Sequence, residues 1–291
     1  MPHIVYRTCR LLCQVVQILP MGTNLGILRL LWTILSGRLL FSRGALFPAL
    51  IEAGLSDVQA RQAEAALREG KFCVTGLIER LRRQIRCEGQ WQERNIGSYH
   101  PFIIDWVGFF RPRLFGCLSK QYDSRAGKAL PAIELGLLAR VGLILGKRIP
   151  LLCGLTRGGD TLCLLRVAKQ KMSKQDVLIA DPQVKIAHLA AAGIEHFVVR
   201  AAIDFTARTK EIPAYAGRGR YAKQGSIVRP LPRRYQGKSI ASTEPGRREQ
   251  FVYQGRSLQV ELWDGLVTAE CPLVFCCCVI RVRATSSHGC Y

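Results

Sequence analysis

Two aspartates set among apolar residues are the side chains of this sequence best suited to chemistry. Asp105 interrupts the run Phe102-Ile103-Ile104-Asp105-Trp106-Val107-Gly108-Phe109-Phe110. A carboxylate buried without a partner costs several kcal/mol, so Asp105 is expected to meet a cation such as Arg111 or Arg113, or a metal ion. Asp181 closes the run Val177-Leu178-Ile179-Ala180. The carboxyl end of a strand is where open α/β sheets place their ligand sites. Followed by Pro182, Asp181 also has the signature of a helix N-cap, and both accounts stand on local grounds. Taken together, two carboxylates on separate strands of one sheet can converge at its edge and hold Mg²⁺ or Mn²⁺ through oxygen, with substrate phosphates completing the site. Such ions suit phosphodiester cleavage. Asp123 and Asp160, near turns, are weaker candidates.

The elements that must position these acids follow from periodicity. Gly22 to Arg86 carries apolar residues at three- and four-residue intervals and reads as helical. Within it Ser56 and Gln59 form a capping-box pattern, Gly70 stands at the expected stop, and a further helix covers Gly76 to Arg86. After the polar stretch Cys87–Tyr99 the pattern changes to short apolar runs. Phe102–Phe110, Glu134–Leu145 and Arg148–Leu155 are expected strands, the last two joined at Gly146-Lys147. A helix over Thr161–Lys171, a strand over Asp176–Asp181, a helix over Val184–Ala192 and a strand over His196–Ala201 then alternate, which favours a parallel sheet covered by helices. Phe251–Thr268 and Leu273–Arg283 read as further strands. The apolar stretch Ile27–Phe41 carries Arg29 and Arg38 and is too short to span a bilayer, so it reads as core and no membrane is expected.

The charge balance points to a polyanionic partner. Forty-two Lys and Arg stand against 21 Asp and Glu, a formal charge of +21. Self-repulsion on this scale opposes folding unless something neutralises it, and nucleic acid does so most directly. From Phe205 to Thr243 there are nine Lys or Arg and a single acid, Glu211. Arg218, Arg220, Lys223, Arg233, Arg234 and Lys238 are the expected backbone contacts. Tyr221 and Tyr235 among them could stack on exposed bases. The face of Arg80, Arg82, Arg83 and Arg86 suits either solvent or phosphates. The 12 cysteines are too sparse for a disulfide scaffold and show no CxxC spacing, and with no signal peptide legible in the first 20 residues a reducing, cytoplasmic compartment is expected. His100, His188 and His196 lack metal-type spacing and read as structural.

In the order of these pieces the sequence resembles bacterial insertion-sequence transposases of the DDE superfamily. The resemblance rests on Phe102-Ile103-Ile104-Asp105 with Arg111-Pro112, on Val177 to Asp181, on His196-Phe197-Val198-Val199-Arg200, and on Gly217-Arg218-Gly219-Arg220 to Gly225. It implies an α/β fold with a ribonuclease-H-like core, a helical N-terminal region and a β-rich insertion. The corresponding segments are 1–98 for binding the element ends, 99–204 for the catalytic core, and 205–291 for the basic insertion and a truncated C-terminal part. It further implies Asp105 and Asp181 as catalytic, metal-holding acids, Arg200 as a cation beside them, and Mg²⁺ or Mn²⁺ as cofactor. Double-stranded DNA is the implied partner, bound by a homodimer in the bacterial cytoplasm at the nucleoid.

The family pattern continues to a catalytic Glu on a helix beyond the insertion. Glu261 lies in a strand-like run and Glu270 precedes Cys271-Pro272, so neither has that setting. The stretch from Cys276 to Tyr291 departs from the pattern as a frameshift or premature stop would make it. The sequence therefore carries two expectations, a DNA-cleaving and strand-transferring transposase or a DNA-binding remnant that lacks the third acid. An RNA-binding protein, resting on charge alone, is a third.

Overall fold

The computed structural model describes residues 2–42, 44–110, 120–123, 126–215, 217, 221–268 and 271–282. The chain divides into two compact units, one of residues 1–159 with 173–176, the other of residues 160–172 with 177–291.

The first unit begins with six helices, α1 (Pro2–Val16), α2 (Thr23–Leu35), α3 (Arg38–Phe41), α4 (Leu46–Glu52), α5 (Asp57–Glu69) and α6 (Val74–Cys87). The expected helical region is present, and α1 extends it to residues that carried no expected element. The capping box of α5 forms in full: the Gln59 amide donates to Ser56 Oγ and the Ser56 amide to Gln59 Oε1. Gly26 lets α2 and α5 cross closely, because a Cβ there would overlap that of Ala66. Apolar side chains fill two small cores, one around Val16, Leu19 and Ile27, the other around Leu50, Ala60 and Ala63. The stretch Ile27–Phe41 is only partly core. Ser36 and Gly37, the latter at φ 77°, end α2, and beyond them Leu40 and Phe41 are 82% and 75% exposed. Among the described residues no helix is long and apolar enough to cross a membrane.

The same unit continues as an antiparallel sheet of β1 (Gln92–Glu93), β2 (His100–Phe110), β3 (Lys120–Asp123), β4 (Lys128–Ile144) and β5 (Lys147–Arg157), in which β4 pairs with each of the others. The β4–β5 turn sits at Leu145-Gly146, one residue before the expected position. Both residues have positive φ, 49° and 76°, as a two-residue primed turn requires. Trp91 lies on β4 at Gly142, where a Cβ would strike its ring, and its indole donates to the Ile149 carbonyl at 3.0 Å.

The second unit opens with α7 (Thr161–Lys171), β6 (Asp176–Ala180, its first residue belonging to the first unit), α8 (Ile186–Ala191) and β7 (Phe197–Val199). As the alternation predicts, β6 and β7 are parallel, with Leu178, Ile179 and Ala180 opposite Phe197, Val198 and Val199. A β-rich region comes next: β8 (Ala207–Thr209), β9 (Ile227–Val228), β10 (Arg233–Tyr235), β11 (Lys238–Ile240), β12 (Arg247–Tyr253), β13 (Arg256–Thr268) and β14 (Cys271–Val282). Strands β12, β13, β8 and β9 run in that order, β14 pairs with β13, and β10–β11 form a separate hairpin. The single strand expected over Phe251–Thr268 is instead split by a turn at Gln254-Gly255, whose φ values are 48° and 73°. A glutamine before glycine carries a weaker turn signal than Asn-Gly or Asp-Gly, which hid the break. Ala207, Val228, Trp263 and Leu266 form the core of this region.

Candidate functional site

Asp105 lies in the first unit, on β2. The strand alternates, with Phe102 and Ile104 at 0% and 1% exposure on the inward face and Asp105 exposed on the other. The expectation of a buried carboxylate is therefore corrected. An apolar run is half outward when its strand is covered on one face, and Asp105 takes an outward place. Its Oδ1 accepts the Trp106 amide at 2.8 Å. The proposed partners Arg111 and Arg113 lie outside the described residues.

Asp181 lies in the second unit, one residue past the end of β6, and is exposed. It does not cap the next helix. The Val184 amide donates to the Asp181 carbonyl at 3.1 Å, closing a turn that contains Pro182, and α8 starts only at Ile186 with Lys185 as its N-cap. With the capping account removed, the Asp181 carboxylate has no hydrogen bond or ion pair among the described residues. Arg200 leaves β7 at the same level: its amide donates to the Ala180 carbonyl at 3.2 Å, and its side chain is exposed. An acid and a guanidinium thus issue side by side from two adjacent parallel strands. Both aspartates offer exposed carboxylate oxygens, the donor type that hard divalent cations take.

The weaker candidates resolve differently. Asp160 is the N-cap of α7, its Oδ1 accepting the amides of Leu162 at 2.9 Å and Cys163 at 3.2 Å. Asp123 ends β3. Glu261 is ion-paired in β13 to Arg248 at 3.5 Å and Arg281 at 3.1 Å, and Glu270 lies outside the described residues. His100 shares a hydrogen bond with Gln175 at 3.3 Å, and His188 Nδ1 accepts the Lys185 amide at 3.4 Å.

Of the expected DNA contacts, Lys223, Arg234 and Lys238 are exposed, while Arg218 and Arg220 lie outside the described residues. Arg233 is half-buried, and its Nη1 donates to the Asp204 carbonyl at 3.4 Å. Arg233, Arg234 and Lys238 sit on the β10–β11 hairpin, where Tyr235 is 59% exposed beside the Gln236-Gly237 turn. The α6 arginines are partly committed. Arg80 donates to the Gln14 carbonyl, Arg82 pairs with Glu79 at 3.0 Å, and Arg86 lies 3.8 Å from Glu93 and over the Trp91 ring. Only Arg83 of that face has no such contact among the described residues.

A charged cluster that local sequence patterns did not reveal lies in the first unit. Asp176, its side chain fully buried, receives both Nη atoms of Arg140, at 2.8 and 2.7 Å, and the Ser173 amide at 2.6 Å. Arg140 also pairs with Glu93 at 2.6 Å and stacks over Phe102. Burial pushes the Asp176 carboxyl up, but the hydrogen bonds from Arg140 and Ser173 outweigh it and hold the group below the usual carboxylate range. For Arg140 the two carboxylates overcome desolvation and raise its pKa. The signal was present in the sequence: a lone Arg140 within an apolar strand needs a partner as much as Asp105 would have.

No protein-family model matches the chain, and no curated protein matches it significantly.

Proposed function

We propose that this protein is a metal-dependent DNA transposase of the DDE type, with a ribonuclease-H-like core. The observation that carries the reading is Asp181, exposed past the end of β6, without a capping role and with Arg200 beside it just past the end of β7. The element order agrees: antiparallel β2, β4 and β5, then α7, β6, α8 and β7, followed by a β-rich region with exposed cations. Asp105 and Asp181 would each offer exposed carboxylate oxygens to Mg²⁺ or Mn²⁺. When bound, such ions lower the barrier to phosphodiester cleavage at both the attacking and the leaving oxygen. The protein's own part is to supply the oxygen ligands, with Arg200 countering phosphate charge and Lys223, Arg233, Arg234 and Lys238 neutralising the DNA backbone.

Calorimetric titration of Mn²⁺ into the protein–DNA complex, alongside a plasmid nicking assay, tests this. Asp105→Ala and Asp181→Ala should each lose metal binding and metal-dependent nicking while keeping salt-sensitive DNA affinity. Unchanged metal binding in both variants refutes the assignment.

A second reading, DNA binding without cleavage, is favoured by Glu261, whose pairing with Arg248 and Arg281 takes it out of consideration as a third acid. It predicts the same DNA affinity with no nicking in the unmodified protein. Competition between duplex DNA and duplex RNA separates both readings from an RNA-binding protein.

A further inference from the structure

Helix α2 is apolar on a face that the first unit does not bury. Gly26, Ile27 and Thr33 turn inward, with Gly26 set against Ala66 of α5. Leu25, Trp32 and Leu35 recur at helical spacing on another face and are 48%, 36% and 58% exposed. A helix that is apolar all round needs cover on every side, and this side stands in water. Past the Ser36-Gly37 turn, Leu40 and Phe41 of α3 are still more exposed. Single exposed leucines are ordinary, but a run of large apolar side chains marks a surface that meets a partner.

The charges beside these residues say which partner. Residues 1–51 contain five arginines and no aspartate or glutamate. Arg29 lies four positions after Leu25 and three before Trp32, on the same face, and Arg38 stands two positions before Leu40. Neither arginine pairs with a carboxylate among the described residues. A second copy of the chain would set arginine against arginine, which opposes self-association through this face. Nucleic acid would satisfy the cations, but its phosphate and sugar exterior leaves the apolar groups uncovered. A bilayer with anionic headgroups satisfies both. The apolar side chains enter the boundary between headgroups and acyl chains, while the arginine stems reach back to the lipid phosphates. Tryptophan suits that depth, its ring in apolar surroundings and its N–H in the wet headgroup layer. With 13 residues in α2 and four in α3, neither helix has the roughly 20 that cross a membrane, so the contact is with the surface of one leaflet.

We infer that the outward face of α2, continued by α3, docks on an anionic lipid surface. The inference stands apart from the transposase reading, whose metal-holding acids and hairpin cations lie on other elements.

Flotation of the full-length protein with vesicles of phosphatidylcholine, alone or mixed with phosphatidylglycerol, tests it. The wild type should float with the mixed vesicles and not with phosphatidylcholine alone, and added salt should weaken the binding. The double variant Leu40→Ser with Phe41→Ser should lose at least about tenfold in affinity for the mixed vesicles. Arg38→Gln should lose about fivefold. Because Leu40 and Phe41 are exposed, the double variant should keep the wild-type melting temperature and duplex DNA affinity. If it binds the mixed vesicles as tightly as the wild type, charge alone holds the protein there and the docking face falls. Equal wild-type binding to the two kinds of vesicle, or binding to neither, also overturns it. Flotation that depends on Leu40 and Phe41, in a protein that fails to bind DNA, would sink the nucleic-acid reading and leave this one standing.

Discussion

Asp181 and Arg200 come directly after Ala180 and Val199, which face each other across two parallel strands, and the Arg200 amide is bonded to the Ala180 carbonyl. The register of β6 and β7 therefore fixes where both side chains begin. Because α8 begins only at Ile186, with Lys185 at its N-cap position, the Asp181 carboxylate caps no helix, in contrast to Asp160, which caps α7. Asp181→Asn is expected to leave the melting temperature unchanged while removing metal-dependent nicking. Asp160→Ala should cost about 1 kcal/mol, the usual worth of an N-cap. Thermal melting of the two variants side by side checks the distinction, and a large loss of stability in Asp181→Asn would count against it.

The Asp176–Arg140 pair sets a pH dependence of stability. The Asp176 carboxyl is depressed in the folded state, so the unfolded chain takes up its proton first. Its stabilisation is whole above the ordinary carboxylate value of about 4 and is lost as pH falls through the lower folded value. Asp176→Asn leaves Arg140 buried with only Glu93 and should destabilise the first unit by about 3 kcal/mol at neutral pH. Acid titration of denaturant midpoints should show a shallower acid limb in the variant than in the wild type.

The β10–β11 hairpin should contribute to DNA affinity through charge alone. Arg234 and Lys238 are exposed, and each phosphate contact contributes about 0.9 to the slope of log affinity against log salt. The double variant Arg234→Gln with Lys238→Gln is expected to lower that slope by about 2, equally for all duplex sequences. Fluorescence anisotropy across a salt series measures it, and an unchanged slope would remove the hairpin from the interface.

Two thiols of β14 should be slow to alkylate. Burial, with Asp264 close by, pushes Cys276 up to about 12, and burial beside Cys278 pushes Cys277 up to about 11. Their thiolate fractions at pH 8 are accordingly small, and the thiolate is the reactive form. Mass-spectrometric mapping of iodoacetamide labelling should find half-buried Cys277, and also Cys276, which is as open to solvent as Cys13 and Cys73, modified more slowly at pH 8 than those two. Rapid labelling of Cys276 would contradict the predicted protonation.

The sequence by itself determined the local elements. Apolar spacing located the helices of the N-terminal region, and Ser56 with Gln59 marked a capping box that forms as read. The alternation around α7 and α8 gave parallel β6 and β7, and the carboxyl end of β6 was recognisable because a charge follows four apolar residues. These features depend on interactions within a few residues, which a linear pattern records. Tertiary structure decided which face each residue takes and which partner it meets. Asp105 proved exposed because strand alternation, not the apolarity of the run, assigns sides. Asp176 and Arg140, 36 positions apart, are joined by pairing that no local spacing encodes.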